Sequence, residues 1–512
     1  MSSIGIRVRD WASALVSLAT VSAAAHADTI ATFDARIQIP ALPSGAFLGW
    51  RADAMASDGN RVALGAYGVQ RAFVFERASD GAWSMVAELS PPEDAARFGI
   101  GVAMQGDEIV VGAPNAASAG FAESGRAFVF RRQADGQWTL SQTIEPVSPS
   151  SQLWFGNSVS LDGDLLAVGT GGLSGPAQAV YLYSRGPTDT WALESMVSSP
   201  DANIPDSARQ FGTPVRLAAG RLITADCSWD APGQADAGRG YVFRRTDSGA
   251  WALEARLDHP SPASGDGYLT VGGGRFIATS VALAGSTAVL ALGGDDTTTG
   301  ADQGSAHVFE RDQSGDWSLR ASLVASDGRA GDWMGWSAVR IVGDEILVGS
   351  AGWDGVVGNL PEIGRVVRFG REAGGWMERS SIVDPMGLAG DRFGGGVAAG
   401  GGFVCITSRN GDGGRGCGSV FGFGDDCDEN FIADPLDIVR GSEDSNENGV
   451  LDECECSGDL TGDMSVDGDD LGSLLGTWGP CSMRCVADLN RDGFVNGADL
   501  GQLLNSWGPC PV

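Results

Sequence analysis

Six tryptophans, Trp83, Trp138, Trp191, Trp251, Trp317 and Trp376, recur at intervals of 53 to 66 residues, each just after a turn-rich stretch such as Asp135-Gly136. Ahead of each runs an alternating segment: Arg71–Phe75, Arg126–Phe130, Val180–Tyr183, Gly240–Phe243, Ala306–Phe309 and Arg365–Phe369. Earlier in each unit an aromatic-Gly step leads into a strand, a tight turn and a second strand, clearest from Phe98 to Pro114. Four short strands cannot bury their own faces, but repeated at this spacing each sheet packs on the next, as propeller blades do. With 77 Gly, 43% hydrophobic residues and only short periodic segments, the body is expected to be all-β.

A seventh unit, Phe393 to Phe423, has three strands and no tryptophan strand after them. The segment Ala31–Ile39 parallels Trp251–Leu257 and can supply the missing strand, which removes an open sheet edge. The expected fold is therefore a seven-bladed β-propeller closed by an N-terminal strand. Phe98-Gly99 with Gly112-Ala113-Pro114, and the variants Phe155-Gly156, Phe211-Gly212, Met334-Gly335 and Phe393-Gly394, resemble the FG-GAP repeat of integrin α-subunit propellers. The unit near Phe276 to Gly294 fits that pattern only with an insertion. Integrin blades often hold calcium in a DxDxDG loop between their first two strands. Here that link is as short as Gln105-Gly106-Asp107 or Asp162-Gly163-Asp164, which suits a hairpin and cannot ring an ion.

The repeated Trp and Phe are blade filler. Residues that depart from the repeat, Trp229-Asp230, Tyr268, Trp333, Trp336 and Trp353-Asp354, are candidates for a ligand surface on one set of loops. HExxH, GxSxG and GxxxxGK[ST] motifs do not occur, so zinc-protease, α/β-hydrolase and P-loop chemistry lack support. Beyond the N-terminal leader only His259 and His307 remain, and His307 fills a repeat position held elsewhere by Phe, Tyr or Val, which marks a structural residue. No catalytic residue is assigned.

Residues 459–481 and 488–510 are tandem copies of one unit. Asp488, Asn490, Asp492, Asn496 and Asp499 stand at positions 1, 3, 5, 9 and 12 of a calcium loop, with Gly493 at the turn. Asp459, Thr461, Asp463, Asp467 and Asp470 hold the same positions in the first copy, with Met464 at the turn. Each loop precedes an apolar run of helical spacing, Leu471-Leu474-Leu475-Trp478 and Leu500-Leu503-Leu504-Trp507. The paired loop-helix pattern resembles the dockerin family, and the resemblance implies a cohesin-like partner. However, Gly468-Asp469 and Gly497-Ala498 replace the hydroxyl pairs of the best-known dockerins. Upstream, Asp444, Asn446, Asn448, Asp452 and Glu455 outline another loop, and Asp426, Asp428, Asn430, Asp434 and Asp437 an earlier one. These resemble thrombospondin type 3 or EF-hand calcium repeats. From Asp425 onward 20 acidic residues face 3 Arg, a charge density that bound Ca2+ would neutralise.

Arg7 and Arg9, the apolar stretch Trp11–Ala25 and Ala25-His26-Ala27 form a secretory signal peptide cleaved after Ala27. No stretch is long and apolar enough for a transmembrane helix. The expected order is signal peptide 1–27, propeller 28–424, Asp/Asn-rich segment 425–455 and dockerin-like module 456–512, in a secreted or cell-surface protein. Nine cysteines suit that setting, with Cys405 close to Cys417 and Cys227 a buried thiol. An acidic pI near 4.3 argues against nucleic acid and anionic membrane. Two functions follow: an interaction protein binding an extracellular protein or glycan, or a carbohydrate-active enzyme with an accessory calcium module.

Overall fold

The computed structural model describes residues 30–78, 81–171, 178–201, 210–271, 274–277, 279–298, 300–355, 360–372, 374–424, 458–461, 465–480, 487–490 and 493–509. The chain divides into two compact units, one holding residues 29–425 and the other residues 452–512.

Seven four-stranded antiparallel sheets make up the first unit. Blade 1 is Met55–Asp58, Arg61–Ala66, Arg71–Arg77 and Trp83–Leu89; blade 2 is Gly101–Gln105, Glu108–Ala113, Arg126–Arg132 and Trp138–Ile144. Blade 3 is Ser158–Asp162, Leu165–Gly169, Ala179–Arg185 and Trp191–Ser198; blade 4 is Phe211–Ala218, Arg221–Asp226, Arg239–Arg245 and Trp251–Leu257. Blade 5 is Thr279–Ala284, Thr287–Leu292, Ser305–Arg311 and Trp317–Leu323; blade 6 is Met334–Val342, Glu345–Ser350, Arg365–Glu372 and Gly375–Ile382. Blade 7 joins Phe393–Gly400, Phe403–Ser408 and Cys417–Gly424 to the N-terminal Ile30–Ile37, which pairs antiparallel with Cys417–Gly424. The first strands of successive blades adjoin in a closed ring, blade 7 meeting blade 1. The seven blades and their shared seventh sheet match the sequence reading. The insertion before blade 5 is a hairpin in which Tyr268–Val271 pairs with Gly274–Ile277.

Burial follows from the stacking. The second strands are covered on both faces and read as apolar runs, Glu108–Ala113 being buried throughout. Fourth strands lie on the rim and are largely exposed, Trp83–Leu89 keeping Trp83 and Ala87 half-buried and Leu89 buried. A register shift interrupts the pairing of the third strand with the rim strand at the same place in all seven blades, from Val74/Phe75 to Val420/Phe421, and this bulge bends each rim strand. The repeated tryptophan beside it latches one blade to the one before: Trp191 Nε1 donates to Glu108 Oε1 at 2.9 Å, and Arg185 lies 4.5 Å above the ring.

The aromatic-Gly step has a steric cause. Gly156 has φ of +88°, and a Cβ on Gly112 in the preceding blade would lie 1.8 Å from the Gly156 carbonyl oxygen. The same glycine-on-glycine approach joins Gly65 to Gly99, Gly169 to Gly212 and Gly349 to Gly394. The phenylalanine before the glycine then packs edge-on in its own blade, Phe155 against Tyr181 at 5.1 Å and Phe211 against Tyr241 at 5.7 Å.

The second unit is built twice. Ser465-Val466 pairs with Gly508-Pro509, and Gly479-Pro480 pairs with Phe494-Val495, so each copy's loop strand is completed by the residues after the other copy's helix. Helices Gly468–Gly476 and Gly497–Asn505 start from capping boxes on Asp467 and Asn496. Their shared core is Val466, Leu474, Ala487, Val495 and Leu503.

Gly112→Ala should cost about 1–3 kcal/mol through overpacking, seen as a lowered thermal midpoint for the propeller. Gly374→Ala, at a site with nothing within 4 Å of the added carbon, should leave the midpoint unchanged.

Candidate binding site on the propeller axis

The inner strands enclose a cavity of about 250 Å3 on the axis, walled by residues one to three positions ahead of the tight turns. Two positions before each turn the register places Ala56, Ala103, Ser160, Ala282 and Ala398, small residues that let the strands converge. Blades 4 and 6 place Arg216 and Arg340 there instead.

Arg216 reaches across to blade 1. Its Nη1 donates to Asp53 Oδ1 at 2.7 Å, and Ser158 Oγ of blade 3 donates to the same oxygen at 3.0 Å. Asp53 stands on the turn Ala52–Ala54 that leads into blade 1. Arg51, two residues earlier, donates from Nη2 to the Asn157 carbonyl at 2.7 Å and holds its Nε 3.8 Å from Asp53 Oδ2. Arg340 donates from Nε to the Val397 carbonyl at 2.9 Å, and among the described residues it forms no ion pair with a carboxylate. Among the described residues the buried Nε atoms of Arg51 and Arg216 have no hydrogen-bond partner.

Burial raises the Asp53 carboxyl, but Arg216 and Arg51 outweigh it, and the group sits below its ordinary value. Burial lowers Arg51. It pulls Arg340 down to about 9, with Arg216 as the next cause and Asp53 opposing. Arg216 and Arg51 thus share one carboxylate while Arg340 has none, and an entering anion would relieve the excess of positive charge.

The opposite end of the axis, where inner strands begin and the longer loops gather, carries aromatic rings. Arg409 lies 4.1 Å from the Trp50 ring and 4.5 Å from the Trp336 ring. Trp336 meets Trp333 edge-on at 5.4 Å, and Trp50 meets Tyr67 edge-on at 5.5 Å. Burial, then Arg392, pulls Arg409 down to about 10, and its buried Nε has no hydrogen-bond partner among the described residues.

Of the loop residues singled out from sequence, Trp333 and Trp336 belong to this cluster. Trp229 and Trp353 do not: each lies under an arginine of its own blade, Arg239 at 3.5 Å and Arg365 at 4.7 Å. Asp230 Oδ1 accepts from the Asp236 amide and Asp354 Oδ1 from the Glu362 amide, so both shape their loops. Tyr268 stands in the hairpin before blade 5. Sequence reading missed Arg51, Asp53, Arg216, Arg340 and Arg409. Aligning the blades on their turns would have exposed two of them, as arginines in a column of alanine and serine.

In the second unit Asp470 and Asp499, position 12 of each loop, are fully buried. Asp470 Oδ1 accepts from the amides of Leu460 and Thr461, and Oδ2 from that of Asp467. Asp499 accepts from Asn490 and Asn496, and Asp488 Oδ2 from Gly493, whose φ is +87°. Desolvation raises Asp470, but these amides outweigh it and leave its carboxyl low. Asp463 and Asp492 lie outside the described residues, as do Asp426, Asp428, Asn430, Asp434, Asp437, Asp444, Asn446, Asn448, Asp452, Glu455 and the leader. Cys227 is buried, and Cys405 and Cys417, adjacent in the sequence reading, are separate buried thiols with no disulfide between them. Among the described residues no helix is long and apolar enough to cross a membrane.

Residues 83–130 and 317–361 match the family model described as FG-GAP repeat. No curated protein matches the chain. Among solved structures, a Lactobacillus plantarum protein is similar at 13% identity and TM-score 0.44, over 69% of this chain and 90% of its own. A periplasmic gluconolactonase of Pseudomonas aeruginosa is similar at 15% identity and TM-score 0.41, over 72% of this chain and 93% of its own. Likenesses this distant say nothing of ligand or reaction.

Asp53→Asn should destabilise the propeller by about 3–5 kcal/mol at neutral pH, because it leaves Arg216 and Arg51 buried without a counter-charge. Asp53 contributes stability that is present above the ordinary carboxylate range and lost as pH falls through its depressed folded value. Acid unfolding followed by tryptophan fluorescence should therefore show a smaller acid-side loss in the variant.

Proposed function

We propose that this chain, whose FG-GAP repeats stand on a seven-bladed propeller, is an exported binding protein that takes an anionic ligand on its axis and is attached through a calcium-loaded C-terminal module. The observation that carries the reading is Arg340, a half-buried guanidinium with no carboxylate partner among the described residues, lining the same cavity as Arg216. Guanidinium forks hold carboxylate or sulfate oxygens in pairs, and desolvation strengthens the attraction. A cavity of about 250 Å3 has room for at least one acidic sugar or acidic group. The ligand is accordingly an acidic group of an extracellular glycan or protein.

The tail reading rests on its loops. Asp488, Asn490, Asp492, Asn496 and Asp499, with Asp459, Thr461, Asp463, Asp467 and Asp470, are the proposed calcium ligands, supported by the Gly493 turn and by buried position-12 acids that tie each loop to its helix. Leu475 and Trp478, with their counterparts Leu504 and Trp507, are each about half exposed, and these equivalent apolar patches suit attachment to a partner.

Titrating the full chain with sulfate and with a uronic-acid oligosaccharide tests the axial site. Arg340→Met should weaken both by about tenfold or more, the worth of one charge-assisted contact, while thermal stability holds or rises. Unchanged affinity would remove the axial reading, and turnover of the oligosaccharide would replace binding with catalysis.

Calcium titration of the same protein, followed by calorimetry and circular dichroism, should show several ions bound with a gain of helix. Asp459→Ala with Asp488→Ala should remove two of them; heat and helix content that ignore calcium would reduce the tail to an acidic spacer.

A further inference from the structure

We propose that His259, Asp295 and His307, at the junction of blades 4 and 5, form a binding site for a divalent transition-metal ion, zinc by the character of its donors. Two of the chain's three histidines meet here, with ring centroids 4.4 Å apart and edge-to-face. One ligand atom from each of the three residues lies within 4.8 Å of the others. His259 Nε2 is 3.1 Å from Asp295 Oδ2, and His307 Nε2 is 4.0 Å from the same oxygen. Donors at the usual zinc distances of about 2.0–2.1 Å stand about 3.3 Å apart in a tetrahedron, so His307 must close on Asp295 by about 0.7 Å, and the widest pair of the set by up to about 1.5 Å, to take up an ion. Ser305 Oγ, 3.0 Å from His307 Nε2 and bonded to Asp295, stands where a fourth ligand or its bridging water belongs.

The junction departs from the repeat at every one of these positions together. Where blade 4 has Trp229 under Arg239 and blade 6 has Trp353 under Arg365, blade 5 has Asp295 beside Ser305. The backbone frame is unchanged: the carbonyls of Trp229, Asp295 and Trp353 accept from Gly238, Gly304 and Gly364 at 3.0–3.1 Å. Two residues beyond Ser305, His307 takes the place of the ring that Phe128, Tyr181 and Tyr241 supply elsewhere. A junction needing only filler would keep those apolar groups.

The charge balance points the same way. Asp266 and Asp295 are buried, and among the described residues no arginine pairs with either. Imidazole nitrogen with a single carboxylate selects a first-row transition ion over calcium. The Ser261 amide donates to His259 Nδ1 at 3.2 Å, which puts the ring proton on Nε2 facing Asp295. For an ion to sit on Nε2 the ring proton must move to Nδ1, which requires the Ser261 amide to release Nδ1 and Asp266 Oδ2, now 4.0 Å away, to close in as the acceptor.

Because the cluster is closed to solvent, loading is coupled to folding. The full chain, produced in zinc-supplemented medium and purified in excess calcium to saturate the acidic tail, is analysed by elemental mass spectrometry, with cobalt substitution read by visible absorption. The expected result is close to one zinc per chain, a cobalt spectrum of nitrogen and oxygen ligation without thiolate charge-transfer bands, and a thermal midpoint raised by the metal. His307→Phe restores the ring of the other blades, so the variant is expected to fold, and it should lose affinity by about 100-fold or more; Asp295→Asn should do the same. Folded wild-type protein without metal, metal retained undiminished in His307→Phe, or a thiolate cobalt spectrum would each overturn the assignment.

Discussion

Adjacent blades meet backbone to backbone. The carbonyl of Gly156 occupies the space a side chain on Gly112 would need, and three further blade pairs repeat the contact. Because a residue with a Cβ cannot stand there, the sheets approach closely enough for Phe98, Phe155 and Phe211 to be fully buried and for the inner strands to crowd around an axis. The motif that identifies the repeat is therefore a packing constraint, and it says nothing of ligand. Function has to be sought where the chain departs from it.

Two departures sit deep in the propeller and both concern charge. On the axis, Arg216 and Arg340 replace small residues and bring a surplus of positive charge into a protein with a formal net charge of −31. Between blades 4 and 5 the departure is toward carboxylates and imidazoles without a paired arginine among the described residues. Buried charge of either sign is unfavourable unless something answers it, so each site invites a counter-ion of its own kind. Since every basic residue of the chain is arginine, its cationic sites bind through a planar fork rather than a point charge.

The C-terminal unit solves a different problem. Its core is five small or branched apolar side chains, too few to hold a domain of this size firmly. Reciprocal pairing of the loop strands and buried acids that gather backbone amides stand in for part of the missing core. A fold so dependent on its loops would be sensitive to whatever neutralises their carboxylates.

Sequence alone determined the propeller, its blade count and the strand exchange in blade 7, because these rest on local patterns: alternation, turns and a tryptophan at regular spacing. It also placed the two helices of the tail, whose caps and apolar positions lie within a few residues of one another. It could not find the candidate sites. Arg216 and Asp53 are 163 residues apart, and His259 and Asp295 belong to different blades, so neither grouping has a spacing to read. His307 looked like filler because its repeat position usually is filler, and only the closed ring shows that its neighbour is a second histidine. Ring closure is what decides such groupings, since it brings side chains from distant blades to one axis or one junction, and the pattern within any single blade is nearly the same whichever residues it will meet.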